Sequence, residues 1–359
     1  MQLRIVVLGL SLSSSWGNGH ATTFRSLLRA LHSRGHRITF LERDCPWYAD
    51  HRDLCSPSFA DLFLYDNIDT LTNTQLDAVR EADVVIVGSY VPDGRDIAAW
   101  VLDEAQGVTV FYDIDTPITL RSLSEDACDY ISHSLLQRFD LYLSFTGGPT
   151  LRVLERSYGA KRALPLYCSV DMGLYYPGRE QKQRLDLGYL GTYSKDRQSA
   201  LQELLLEPAR RWKDGRFAVY GPQYPADVVW PSNVARRSHL APPDHRSFYH
   251  SQRFTLNLTR ADMVAAGFSP SVRLFEAAAS GVPIISDYWS GLESFFRPDE
   301  EILIARSPED TLEILRHTSE QRRAEIAERA LKRVLAEHTS SKRAEQFEQY
   351  YLATVHDAQ

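Results

Sequence analysis

Apolar residues in this chain fall into short continuous runs, and the stretches between the runs carry them at helical spacing. Residues 3–10 (LRIVVLGL) form a β-rich apolar run, and a polar loop, SLSSSWGNG, follows. Residues 20–33 then place Phe24, Leu27, Leu28 and Leu31 on one face of a helix. Gly35 ends that helix, and RITFL (37–41) predicts the next strand. A strand, a helix and a second strand imply parallel pairing, because the crossover returns the chain to the end of the sheet from which it started. The alternation recurs. ADVVIVGS (82–89), VTVFY (108–112), LYLSF (141–145) and residues 163–167 predict strands; residues 96–105, most of 121–136 and 151–158 predict helices. Such a series predicts a doubly wound half that binds ligands at the carboxyl ends of its strands.

The pattern breaks at DMGLYYPGREQK (171–182), which is rich in turn and charged residues and reads as a linker. A second series follows. LDLGYLG (185–191), FAVYG (217–221) and FTLNLT (254–259) predict strands, and residues 198–212 a helix. Pro270 precedes a further helix over 271–280; Gly281 stops it, Pro283 forbids its return, and Ile284 to Ser286 form a short strand. A last helix spans 341–351. The fold class is therefore α/β, with domains at 1–172 and 173–338 and a terminal segment at 339–359.

Composition agrees with two domains. A chain of 359 residues with 43% hydrophobic and 24% charged content can bury two cores. The net charge of −7 argues against a nucleic-acid partner. Cys45, Cys55, Cys128 and Cys168 form no CxxC pair and read as free thiols in a reducing cytosol, which predicts a cytoplasmic protein. No apolar run approaches the ~18 residues of a membrane span. The run after Arg4 is too short for a signal peptide, and polar residues follow it at once.

The helix over 271–280 carries the sharpest chemistry. The free backbone N–H groups at its start, around Ser271 and Val272, favour an anion, and Arg273 adds a fork of donors. Glu276 follows one turn later on much the same face, where a carboxylate suits two ribose hydroxyls.

This run, SVRLFEAAASG (271–281), resembles the nucleotide-sugar helix of GT-B glycosyltransferases, most closely the spore-maturation CgeB-like group. LNLTR (256–260), EILIARSPEDTLEIL (301–315) and LAEHTSSKRAEQF (335–347) share the resemblance. It implies two Rossmann-like domains facing a cleft, with the acceptor on the first, the nucleotide sugar on the second, and the C-terminal helix crossing back to the first. It also implies that Glu276 is the ribose ligand. One departure stands out. Many retaining GT-B enzymes carry a second Glu upstream, where this chain has Ala266-Gly267-Phe268-Ser269, so the anomeric outcome is left open.

Other candidate positions lie at strand ends. Trp16, Gly17, Asn18 and Gly19 form a Gly-rich loop entering a helix. With Thr22 and Glu42 or Asp44 it is a weak match to the dinucleotide fingerprint, lacking the third glycine. It is also similar to the acceptor-side opening of GT-B enzymes, which places His20 where some inverting members have a base. FYDIDTP (111–117) ends the fourth predicted strand with Asp113 and Asp115, acceptor-side acids or bases that also resemble a metal-binding DxD. Gly191 and Thr192 suit close approach to a phosphate that Lys195 or Arg197 neutralises; YGPQY (220–224), with Gly221, ends the next strand and suits a wall for the nucleotide base; Arg260, after a strand, is a further phosphate candidate. His239, His245 and His250 show no metal spacing.

The expected function is metal-independent transfer of a sugar from a nucleotide donor (UDP-, dTDP- or GDP-linked) to an acceptor, without a separate cofactor. His20, Asp113 and Asp115 compete for the role of base. The alternatives are a GT-B-like nucleotide-sugar epimerase, a nucleotide-sugar-binding protein without turnover and, last, a dinucleotide dehydrogenase.

Overall fold

A computed structural model describes residues 1–17, 19–178 and 184–357. The chain divides into two compact units. The first holds Met1–Ser169 together with Ser340–Gln359, and the second holds Val170–Thr339. Residues 179–182 of the expected linker lie outside the described residues.

The first unit is a seven-stranded sheet. Its strands are β1 (Arg4–Gly9), β2 (Arg37–Arg43), β3 (Asp61–Tyr65), β4 (Val84–Gly88), β5 (Val108–Asp113), β6 (Leu141–Ser144) and β7 (Ala163–Pro165). They pair in parallel in the order β3-β2-β1-β4-β5-β6-β7. The helices are α1 (Gly19–Ser33), α2 (Pro46–Ala49), α3 (Ile68–Arg80), α4 (Gly94–Glu104), α5 (Thr116–Ser124), α6 (His133–Leu136) and α7 (Pro149–Ser157). β1 reads as an unbroken apolar run because both its faces are covered. Leu3, Ile5 and Val7 enter one core with α1; Val6 and Leu8 enter the core on the other face.

The structure differs from the sequence pattern here in two respects. β3 and α3 were not expected, so the strand ending in Asp113 is the fifth and not the fourth. β3 is an edge strand that opens on an exposed Asp61, and its Leu62, Phe63 and Leu64 are only half-buried. The helix expected over 121–136 is broken. α5 stops at Ser124, Asp126 takes a left-handed conformation (φ 51°), and Ser132 caps a separate short helix. Tyr130 and Ile131 are buried from the turn between them.

The second unit is a six-stranded parallel sheet of β8 (Leu185–Leu190), β9 (Phe217–Tyr220), β10 (Val234–Arg237), β11 (Gln252–Asn257), β12 (Ile284–Ser286) and β13 (Leu303–Ile304). The order is β10-β9-β8-β11-β12-β13. Its helices are α8 (Lys195–Leu201), α9 (Glu207–Arg211), α10 (Pro242–His250), α11 (Ala261–Ala266), α12 (Val272–Ala279), α13 (Pro308–His317) and α14 (Glu320–Glu337). A π-turn, Gln202–Leu206, joins α8 to α9. Pro208 lies just beyond it; proline has no N–H to close an ordinary turn, and the helix widens to accommodate it.

The last helix, α15 (Ser340–Asp357), belongs to the first unit, as the resemblance implied, and runs beyond the expected 341–351. Ala344 and Phe347 enter the same core as α1. His36 Nδ1 accepts from the Leu3 N–H (3.1 Å), so its proton sits on Nε2, which donates to Glu348 (2.8 Å). Arg34 adds two further bonds to the same carboxylate.

Candidate functional site

In both sheets the strand order runs outward from a central pair, β1 with β4 and β8 with β11. The crevice at such a switch point is where a doubly wound sheet places its ligands. The loops after β1, β8 and β11 carry most of the candidate residues; Asp113 and Asp115 stand at the end of β5, and Gly221 follows β9.

In the second unit, Ser271 stands as N-cap of α12, but its hydroxyl donates to Asn257 Oδ1 (2.7 Å) instead of capping. Val272 is the first helical residue. Arg273 is 8% exposed. Its Nε donates to the Leu190 carbonyl (2.6 Å) and its Nη1 to Asn257 Oδ1 (2.9 Å), and the guanidinium lies over the Tyr189 ring. The sequence suggested an open fork for phosphate. Instead, Arg273 braces the ends of β8 and β11 to the start of α12. Glu276 is 4% exposed and accepts from the Tyr249 hydroxyl (2.9 Å); Tyr175 also hydrogen-bonds this carboxylate. It makes no ion pair among the described residues.

The loops after β8 and β9 touch through their backbones. Gly191 N–H donates to Tyr220 O (2.9 Å) and Tyr193 N–H to Pro222 O (3.0 Å). A Cβ on Gly221 would sit 2.0 Å from Gly191 O, at a φ of 154°, so a side chain there would push the loops apart. The Gly191 carbonyl accepts from Tyr224 (3.2 Å), and the Thr192 carbonyl from Arg197 (2.8 Å). Arg197 therefore holds its own loop, while Lys195 is exposed at the start of α8. Arg260 pairs with Asp196 (3.5 Å). Burial would raise the Asp196 carboxyl, but the Ser194 hydroxyl and the Arg260 charge outweigh it and hold the group below its ordinary range.

In the first unit, His20 is the second residue of α1 and is 6% exposed. Burial lowers the basicity of its imidazole, and the nearby Asp115 only partly offsets this, so the ring is neutral at neutral pH. Its Nδ1 has no hydrogen-bond partner among the described residues. Trp16 stacks on His51 (4.5 Å), Gly17 is left-handed (φ 67°), and Gly19 opens α1; Asn18 lies outside the described residues.

Asp113 is 0% exposed. Tyr142 and Thr119 donate to its carboxylate, Thr119 at 2.9 Å, and Asp115 N–H adds a bond of 3.2 Å. The carboxyl is fully enclosed and has no face open to an acceptor, which speaks against a direct base. Asp115 is the N-cap position of α5.

Glu42 also departs from the dinucleotide pattern. It is fully buried and accepts from Leu12 N–H (2.6 Å), Ser13 N–H (2.9 Å), and the Ser11 and Ser13 hydroxyls. Its oxygens serve the loop after β1, leaving none for a ribose. Tyr90, Tyr175 and Tyr249 escaped the sequence reading because no motif marks them.

No group of three or more His, Cys, Asp and Glu able to hold a metal occurs among the described residues, and none of their helices is long and apolar enough to cross a membrane.

Residues 197–349 match the family model described as glycosyl transferase-like. No curated protein matches the chain. Among solved structures it is similar to sucrose-phosphate synthase from Thermosynechococcus elongatus, at 13% identity over 99% of both chains with a TM-score of 0.72. It is also similar to Anabaena Alr3699/HepE in complex with UDP-glucose (12% identity, 98% of this chain and 100% of that one, TM-score 0.68). A third is an alpha-glucosyltransferase in complex with UDP-glucose and DNA (13% identity, 98% and 100%, TM-score 0.73). At these identities the likeness shows the fold, which is GT-B. With the family match over the second unit, the chain is a glycosyltransferase. The expectation that nucleic acid is no partner finds no support here, since one neighbour is described with DNA bound.

Proposed function

We propose that the second unit holds a nucleoside-diphosphate sugar and the first unit the acceptor. Glu276 carries this reading. A carboxylate removed from water and not paired to a cation is costly unless something hydrogen-bonds it. Tyrosine hydroxyls meet part of that need, and the remaining lone pairs suit ribose hydroxyls. The N–H groups opening α12 face the diphosphate, and Gly191, Thr192 and Gly221 let backbone approach the nucleotide. Lys195 and Arg260 are the cations nearest the task; Arg273 and Arg197 shape the loops that form the site.

In the reaction, the acceptor hydroxyl attacks the anomeric carbon. The bond from that carbon to the diphosphate oxygen breaks, and the nucleoside diphosphate leaves with the electron pair. His20, neutral at working pH, takes the acceptor's proton in an inverting transfer. One observation favours a second outcome, because a neighbour is described as an alpha-glucosyltransferase. In a retaining transfer, His20 instead hydrogen-bonds a sugar hydroxyl. The anomeric configuration of the product, read by NMR, separates the two.

UDP is the first nucleotide to test, since neighbours are described with UDP or UDP-glucose bound. The four cysteines form no disulfide, in keeping with a cytoplasmic setting. The motifs at 256–260, 271–281, 301–315 and 335–347 lead us to place the chain in the CgeB-like group. The deciding experiment is calorimetric titration of Glu276→Ala with UDP. We expect a loss of about 1.5–3 kcal/mol, the range for hydrogen bonds to a charged group. Wild-type affinity in a folded variant would remove Glu276 from the site and the reading with it.

A further inference from the structure

The switch point of the first sheet lies between β1 and β4. The loop after β1 leads to His20, and the loop after β4 delivers Tyr90. Tyr90 is a non-glycine residue at φ 63°, in the left-handed region that L-residues rarely adopt. Such a conformation persists only where its surroundings over-determine it, and it often marks a functional position. The surroundings here do so. Ser89, immediately before it, is pinned to the end of β5 twice: its N–H donates to Tyr112 O (3.0 Å), and its hydroxyl accepts from Ile114 N–H (3.1 Å).

The Tyr90 ring contacts two others. One is Tyr130, with centroids 4.7 Å apart. Tyr130 is itself fixed. Its backbone packs against Gly94, where a Cβ would meet it at 2.8 Å, and its hydroxyl bonds Thr119 (2.7 Å). Thr119 has one hydroxyl proton. When Asp113 is ionised it can only accept, so Thr119 donates to Asp113 Oδ1 and Tyr130 donates to Thr119. The other is the His20 imidazole, 5.3 Å away and perpendicular at 89°. A working imidazole is usually oriented by a hydrogen bond from its far nitrogen to a carboxylate or carbonyl. His20 Nδ1 is buried and has no such bond among the described residues.

We propose that Tyr90 is the positioning residue for His20, its ring fixing the imidazole plane where a hydrogen bond usually would. Asp113 then acts at a distance, by holding Thr119 and Tyr130 behind Tyr90. The proposal rests on the reading that His20 faces the reacting hydroxyl. The charged group facing His20 is Asp115, from the start of α5.

Two readouts test it. The first is NMR titration of 15N-labelled histidine, with His20 assigned by its loss in His20→Ala. The variants are Tyr90→Gly, which suits a left-handed backbone, and Tyr90→Asn, which tolerates it if the glycine variant does not fold. In the wild type and in Tyr90→Phe, which keeps the ring, His20 should titrate below the ordinary 6.5. In Tyr90→Gly or Tyr90→Asn the midpoint should rise towards it. The second readout is UDP release from UDP-glucose. Tyr90→Gly should slow it by about tenfold or more with UDP affinity unchanged, Tyr90→Phe should restore the rate, and the double variant with His20→Ala should be no slower than His20→Ala alone. An unmoved His20 midpoint overturns the proposal, as do losses that multiply in the double variant. A loss below about tenfold in His20→Ala overturns the catalytic reading of His20 instead, and leaves the NMR test of the ring contact standing.

Discussion

At Asp113, burial and hydrogen bonding act against each other, and burial prevails. Desolvation pushes the carboxyl up to about 6 although Tyr142 and Thr119 donate to it. The sign of the consequence follows. The folded chain holds this proton more tightly than the unfolded chain, whose carboxyl has its ordinary value near 3.8. The stabilisation is complete below that value and is lost as pH rises through about 6. Asp113→Asn cannot ionise, so its stability should lack this decline. Urea midpoints between pH 4 and 7 check it, and parallel curves for the two proteins would contradict the assignment. The same residue marks the limit of the sequence. Strand-end placement located Asp113 at the carboxyl end of its strand, but a sequence pattern cannot say whether a side chain's donors and acceptors are already engaged. Arg273, Arg197 and Glu42 repeat this: each has the residue type a nucleotide site needs, and each is turned inward to hold a loop.

Among the elements, α15 is held to its unit partly through one carboxylate. Glu348 accepts from Arg34 and His36, and the Arg34 bonds in first place hold its carboxyl down at about 2. A depressed carboxyl contributes stability above its ordinary 4.5 and loses it as pH falls through about 2. Glu348→Gln should therefore loosen α15 at neutral pH, and the difference from wild type should shrink between pH 4.5 and 2. Hydrogen exchange of residues 340–357 reads this directly; equal protection in both proteins at neutral pH would count against it. Strongly apolar strands such as β1 and β4 were legible because both faces are buried. β3 was not: its apolar run, LFLY, is only four residues long and, at the sheet edge, mostly half-buried. The break between α5 and α6 was missed because Tyr130 and Ile131 supply apolar residues at a helix-compatible spacing while packing from a turn.

The two units repeat one strand order, with an extra edge strand, β7, in the first. That repetition was visible in the sequence as two strand–helix series flanking a break. In the function we propose, the second unit offers helix N–H groups and cations to a diphosphate and the first an uncharged imidazole to the acceptor. On that division of labour, nucleotide release from UDP-glucose should be unchanged in EDTA. If chelation abolishes it and magnesium or manganese restores it, a cation takes the place we assign to these donors. Fluorescence or calorimetric titration of UDP with and without the chelator gives an independent check on binding.

The position of α15 has a consequence for how the chain is made. Its Phe347 and Ala344 complete a core whose other members precede residue 170, and the entire second unit is translated in between. During synthesis the first unit emerges early without α15, while the second, continuous in sequence, can close as soon as it clears the ribosome. Folding order on the ribosome is thus inverted for the last step: the half that emerges first is finished last.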